Sequence, residues 1–159
     1  MDVKILGDNL KFKLRVSAII INNGNLLVNR YGENSYCLPG GYVNLGETSE
    51  EAIIRELKEE TGLNFKIVKY GGVAENFFTN LRNQKTHGID FYYFVDLDDK
   101  KKTLGDLDMN YVEKDNHAVI KHHYYWIPLN DINSYNILPE IIKDKRFLKG
   151  EMFHYIITK

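Results

Sequence analysis

Cysteine is almost missing from this 159-residue chain: Cys37 stands alone, so no internal disulfide can staple the fold, which suits a reducing, cytoplasmic setting. Proline is scarce at 3 residues, and with 12 glycines it excludes collagen-like and polyproline architectures. No uninterrupted run of about 20 apolar residues occurs, and the opening segment from Met1 to Leu14 alternates charged and apolar residues. Neither a membrane span nor a signal peptide fits that pattern. A dominant charge is lacking too. Lys and Arg number 21 against 22 Asp and Glu, a formal charge of -1, so there is no broad cationic surface for a nucleic-acid polymer or an anionic membrane.

What is present is an ordinary globular composition, 43% hydrophobic and 27% charged. The length is that of one compact domain, so residues 1–159 read as a single domain. The apolar, β-branched run from Val16 to Ile21, the turn Asn22-Asn23-Gly24-Asn25 and the apolar resumption from Leu26 to Val28 predict a hairpin. Further strands are expected over Phe65 to Tyr70, Val73 to Phe78, Ile89 to Leu97 and Tyr124 to Ile127, with a terminal one over Met152 to Ile157. Thr48-Ser49-Glu50-Glu51 carries a capping-box pattern that starts a helix, and Gly62 stops it. A second helix is expected over Leu138 to Lys145, and the segment Leu104 to Lys121 fits no element by pattern. Strands mixed with two such helices imply an α/β fold, an α/β/α sandwich with a mixed β-sheet between helices.

On the first helix, Glu56, Glu59 and Glu60 share one arc, because positions i, i+3 and i+4 are neighbours. Left alone, such carboxylates repel, so a cation belongs beside them. By helical angle Arg55, Lys58 and Glu51 point away from the arc, while Ile53 and Leu57 can anchor its flank to a core. A hard divalent cation such as Mg²⁺ takes oxygen ligands and suits carboxylates on a rigid helix. Just upstream, Leu38-Pro39-Gly40-Gly41 makes a sharp turn that can free a backbone carbonyl for the same site. An acidic helix can also simply face solvent, so the wider pattern decides.

That pattern is Gly41, Glu47, Arg55, Glu56, Leu57, Glu59, Glu60, Gly62 and Leu63: G, five residues, E, seven residues, R-E-U-x-E-E-x-G-U, with U apolar. A chance match anywhere in the chain is on the order of one in ten million at ordinary residue frequencies. The segment Gly41 to Leu63 therefore resembles the complete box of the Nudix hydrolases, and the hairpin before it and Trp126-Ile127-Pro128-Leu129 after it follow the family's order. The resemblance implies metal-dependent hydrolysis of a pyrophosphate bond in a nucleoside diphosphate linked to another moiety, such as a nucleoside triphosphate or ADP-ribose. It implies Gly40, Glu56, Glu59 and Glu60 as metal ligands, Glu56, Glu59 and Glu60 as catalytic, and Glu59 first for water activation. Gly41 and the pair Glu47–Arg55 would support the site. A nucleotide sensor that keeps the fold without useful catalysis is the alternative.

Many family members carry a further acidic residue before the segment matching Trp126. Here Glu113 and Asp115 are the acidic candidates, with His117, His122 and His123 beside them. For the substrate, Tyr31, Tyr36, Phe77, Phe78 and Tyr92 can stack on a base, Arg30 or Arg82 can meet phosphate, and Asn76 and Asp90 can read a base or ribose edge. The expected partner is a small nucleotide, and a strand edge near the C-terminus leaves a homodimer open.

Overall fold

The computed structural model describes residues 4–7, 9–80, 83–115, 118–151 and 154–158. In chain order its elements are β1 (Lys4–Gly7), β2 (Leu10–Ile19), β3 (Ile21–Asn22), β4 (Asn25–Tyr31), β5 (Ser35–Cys37) and helix α1 (Ser49–Thr61). The order continues with β6 (Phe65–Thr79), β7 (Lys85–Leu97), β8 (Val112–Asp115), β9 (Ala118–Lys121), β10 (Tyr124–Pro128), helix α2 (Lys145–Lys149) and β11 (His154–Thr158). Short 3-10 turns occupy Leu104–Asp106, Leu129–Ser134 and Glu140–Lys143.

Five strands form a mixed sheet in the order β1-β2-β7-β6-β11, in which β2 runs parallel to β7 and β11 parallel to β6. A second, antiparallel sheet has the order β10-β4-β3, with β5 on the other part of β4. The expected hairpin is present, but its first strand divides. Leu10–Ile19 belongs to the large sheet, and after Ile20 the chain crosses into the second sheet, where Ile21 and Asn22 pair with Leu26 and Asn25. The strands expected at Phe65 to Tyr70 and Val73 to Phe78 are one long β6 bent at two register shifts, between Ile67 and Lys69 and between Tyr70 and Gly72.

Helix α1 forms as its sequence dictates. Thr48 Oγ1 accepts from the Glu51 N–H, Glu51 Oε2 accepts from the Thr48 N–H, and Gly62 closes the helix in the left-handed region with its N–H on the Lys58 carbonyl. Ile53 and Leu57 are fully buried against Val16, Ala18 and Phe65 of the large sheet. Each contributes about 1.5–3 kcal/mol of hydrophobic burial and fixes which way the acidic arc faces.

The second helix lies elsewhere than expected. Over Leu138 to Lys145 the chain makes a 3-10 turn at Glu140–Lys143, and α2 starts only at Lys145. Pro139 disfavours a helical Leu138, and Asp144 leaves helical geometry to cap α2 by accepting from the Arg146 N–H. Ile137, Ile142 and Phe147 still bury their side chains on the far face of the sheet, with Ile19, Leu26 and Tyr92. The layers are thus those of the expected mixed α/β fold. Within Leu104 to Lys121 the structure places β8 and β9, which pair with each other as a hairpin. Among the described residues no helix is long and apolar enough to cross a membrane. The terminal strand begins at His154, and the Met152 and Phe153 of the expected range lie outside the described residues.

Candidate active site

The turn before α1 is held to the large sheet from both sides of Gly40. The Val16 N–H donates to the Gly41 carbonyl at 3.0 Å and the Ala18 N–H to the Pro39 carbonyl at 2.8 Å. Gly40 has φ +139, and a Cβ there would run into the Val16 carbonyl. At Gly41 a Cβ would overlap the Glu56 carboxyl group. Gly40 must therefore be glycine for strand and turn to approach this closely, while a side chain at position 41 would displace the Glu56 carboxyl group.

Of the three carboxylates of α1, Glu60 and Glu56 stand against that turn and Glu59 beside Arg55, each in a different environment. Glu60 is buried and accepts from the Gly40 N–H at 2.9 Å. Burial, helped by the neighbouring Glu56 and Glu113, pushes its carboxyl up to about 8, against the Gly40 hydrogen bond. Glu56 is raised as well, first by burial and then by Glu59 and Glu113, while Arg55 opposes the rise. Glu59 is the open member, its side chain 45% exposed.

Arg55 does not point away from this cluster. Its Nε and Nη2 hold the two oxygens of Glu47 at 2.7 and 2.9 Å, Nη2 also reaches the Tyr42 carbonyl, and Nη1 donates to both Glu56 and Glu59 at 2.9 Å. All five guanidinium donors are therefore engaged. Arg55 stands four residues before Glu59, so helical spacing already sets it at the edge of the acidic arc, against the expectation that it points away, and its guanidinium reaches acceptors on both sides. Glu47 is held below its usual value, chiefly by the Arg55 hydrogen bonds, and the Asn44 N–H adds a third contact at 2.9 Å.

The donor set is all oxygen, and Glu47, Glu56 and Glu59 share the single guanidinium of Arg55. That chemistry fits a hard divalent cation. Among the described residues no three His, Cys, Asp or Glu side chains close into a preformed ligand set. Arg55 and Gly40 hold the carboxylates apart, so a cation would compete with Arg55 Nη1 for Glu56 and Glu59.

A cavity of about 410 Å³ borders the start of the same turn. Leu38 and Cys37 line it just before Gly40, and Lys13, Arg15 and Ser17 line it from β2. Tyr31, Asn76, Phe78, Asp90 and Tyr92, all candidates for substrate contact, line the same cavity. Asp90 is buried beside Arg15, with Nε 3.5 Å from Oδ1, and burial raises its carboxyl although Arg15 and Lys13 pull it down.

Other candidates lie elsewhere. Arg30 donates to the Gly32 and Glu33 carbonyls of its own turn. Phe77 stacks on His87, and Tyr36 packs edge-on against Tyr125 and Tyr135. Arg82 and His117 lie outside the described residues. Sequence reasoning missed Lys13, Arg15 and Ser17, yet a signal was there: they alternate with Leu14, Val16 and Ala18, so one face of β2 is polar.

Of the later candidates, His122 and Glu113 reach the acidic cluster. His122 is buried, its Nε2 is 2.8 Å from Glu113 Oε2, and its Nδ1 is 3.8 Å from Glu60 Oε1. His123 instead meets Asn110 at 2.9 Å.

Comparison with known proteins agrees with this geometry. The model of the NUDIX domain matches residues 11–149. An ADP-ribose pyrophosphatase of Methanocaldococcus jannaschii is 32% identical over 125 residues, covering 70% of this chain and 72% of that protein. An RNA pyrophosphohydrolase of Edwardsiella ictaluri is 45% identical over 72 residues, covering 44% of this chain and 41% of that protein. The crystal structure of a MutT protein from Methanosarcina mazei Go1 superposes with a TM-score of 0.56 at 27% identity, covering 87% of this chain and 91% of that one. With the box from Gly41 to Leu63 folded as a capped helix against its glycine turn, the chain belongs to the NUDIX family, the Nudix hydrolases.

Proposed function

We propose that this chain is a metal-dependent pyrophosphohydrolase acting on a nucleoside diphosphate linked to a second moiety, with ADP-ribose the first substrate to test. The observation that carries this reading is the shared turn. Gly40 and Gly41 of the Leu38–Gly41 turn meet Glu60 and Glu56, and Leu38 at its start lines the 410 Å³ cavity. A cavity of that size suits a nucleoside, and a nucleoside bound there would carry its pyrophosphate toward the carboxylates. The ADP-ribose pyrophosphatase of M. jannaschii supports the choice of substrate.

Glu56, Glu59, Glu60 and the Gly40 carbonyl would hold Mg²⁺ or Mn²⁺, which when bound offsets phosphate charge and lowers the pKa of coordinated water. Glu59, the exposed carboxylate, accepts a proton from the attacking water as its oxygen bonds to phosphorus. The bridging P–O bond breaks, and the departing phosphate takes the electron pair. ADP-ribose would give AMP and ribose 5-phosphate. Glu47 keeps Arg55 in place, and Arg55 in turn fixes Glu56 and Glu59. In the cavity Phe78 and Tyr31 offer stacking faces, Asp90 and Asn76 offer hydrogen-bonding edges, and Lys13 with Arg15 supplies positive charge. We place the work on a small nucleotide, in keeping with the chain's near-neutral charge.

The test is turnover on ADP-ribose, nucleoside triphosphates and 5′-triphosphorylated RNA with Mg²⁺ or Mn²⁺, for the wild type, Glu59→Gln and Glu60→Gln. Metal-stimulated cleavage that is lost in both variants, with circular dichroism unchanged, is expected. Near-normal turnover in both variants would overturn the assignment.

A further inference from the structure

The large sheet carries a second polar group, on the face turned away from the 410 Å³ cavity. Asn76 and Phe78 of β6 line that cavity, so strand alternation sends Glu75 and Phe77 to the opposite face. There β7, β6 and β11 lie side by side. Glu75 is paired with Ile89 and Ile156, which leaves His87 of β7 and His154 of β11 each one diagonal step away from it, on either flank.

Both rings turn Nε2 toward the one carboxylate. His154 Nε2 is 2.9 Å from Glu75 Oε1, and His87 Nε2 is 3.6 Å from Glu75 Oε2. The first contact is a hydrogen bond, and the second is too long for one. His87 Nε2 is shielded from solvent and has no hydrogen-bond partner, although part of the ring is open. A ring nitrogen left unpaired in this way costs stability unless something binds there. Packing keeps it aimed all the same. The ring stacks on Phe77 with centroids 4.2 Å apart and 24° between planes, and Phe12 meets it edge-on at 5.6 Å.

An ion pair would occupy only one of the two histidines. Two imidazole nitrogens and a carboxylate are the donor set that Zn²⁺ takes, with water in the fourth place. Donors bonded at about 2.0–2.2 Å to a tetrahedral ion stand roughly 3.3–3.5 Å apart, and the two gaps of 2.9 and 3.6 Å lie on either side of that spacing. Among the described residues no such set is preformed. Here the carboxylate itself fills the gap between the rings, and its side chain, 32% exposed, has room to turn and admit an ion.

We propose that Glu75, His87 and His154 form a zinc-binding site that shares no residue with the acidic cluster and clamps the terminal strand to the large sheet. Strand β11 lies at the sheet's edge and pairs with β6 alone among the described strands, so an ion held by these three side chains ties it to both β6 and β7. The nitrogen donors select the ion, since imidazole suits Zn²⁺ whereas Mg²⁺ keeps to oxygen. The site therefore stands whether or not the chain hydrolyses a pyrophosphate.

Two measurements test it, both in excess Mg²⁺ to occupy the acidic cluster. Zn²⁺ titration of the ¹⁵N-labelled chain follows the ring nitrogens of His87 and His154, whose Nε2 signals should move together and saturate at one equivalent. In His154→Ala and in Glu75→Gln the Zn²⁺ affinity read at His87 should fall by about 100-fold or more, beyond the effect of losing an outer partner of a ligand. Both of those side chains are open to solvent, so neither change removes core packing. Zn²⁺ should also raise the melting temperature of the wild type by more than that of His154→Ala, because an ion that binds only the folded chain stabilises it. Ring signals that stay in place, or a His154 signal that moves without His87 as an isolated surface histidine would, overturn the site. An equal rise in melting temperature in wild type and His154→Ala overturns the clamp.

Discussion

The Glu56 carboxyl group occupies the volume that a Cβ at Gly41 would need. Glycine at this position is therefore a packing requirement of the acidic site, beyond any requirement of the turn. Gly41→Ala should push Glu56 out of the cluster while the strand bond from Val16 to the Gly41 carbonyl survives. We expect a loss of about 10–100-fold in metal affinity, the usual effect of displacing the support of a ligand. Calorimetric Mn²⁺ titration of a variant with native circular dichroism checks it.

Glu60 links stability to pH in the metal-free chain. Its folded value of about 8 lies above the ordinary 4.5. Between those values the folded protein keeps a proton that the unfolded chain has lost. Stability therefore falls as pH rises from about 4.5 to about 8, and it is flat on either side. Melting of the metal-free wild type should drop from pH 5 to pH 8, and Glu60→Gln should flatten that slope. An equal slope in the variant would refute the assignment to Glu60.

Arg55 works through its fork geometry. Lysine offers three donors at one point and cannot hold both oxygens of Glu47 along with Glu56, Glu59 and the Tyr42 carbonyl. Arg55→Lys should lower the melting temperature by several degrees, in line with about 1.5–3 kcal/mol for hydrogen bonds between charged groups. Differential scanning calorimetry measures the drop directly. A variant that melts with the wild type would show the fork to be dispensable.

Cys37 should be chemically quiet although it lines the cavity. Burial pushes its thiol up to about 11, so the thiolate is scarce at neutral pH. Intact-mass analysis after iodoacetamide treatment at pH 7.5 should find little adduct in the folded chain and rapid modification in urea.

Asp90 tests the cavity. Asp90→Asn keeps the shape but removes the charge beside Arg15. The Michaelis constant for the preferred nucleotide should rise about 10–100-fold, the value of one hydrogen bond to a charged group, with kcat changed far less. Steady-state kinetics separate the two, and an unchanged KM would remove Asp90 from the substrate site.

Local chemistry was legible in the residues themselves. The helix from Ser49 to Thr61 was readable because its start, stop and apolar spacing are all local, and the box could be placed because its residues sit at fixed intervals on that helix. The second helix misled because its apolar residues do face the sheet, while Pro139 and Asp144 break the backbone that would carry them. The expectation that Arg55 points away fails on helix geometry itself, since its i,i+4 spacing to Glu59 sets the two on neighbouring positions of one face.

The sequence by itself determined the family, the acidic arc of Glu56, Glu59 and Glu60, and the glycine turn before it, since each depends on short spacings along one chain segment. Tertiary structure decided what those groups meet. It set Asp90 and Asn76 on neighbouring strands of one cavity with Arg15, and it brought His122 and Glu113 to the far side of Glu60. Sheet register and the crossing of β2 into the second sheet fix those meetings. The pairing of Arg15 with Asp90 joins residues on distant segments of the chain, where no periodicity along one segment can record it.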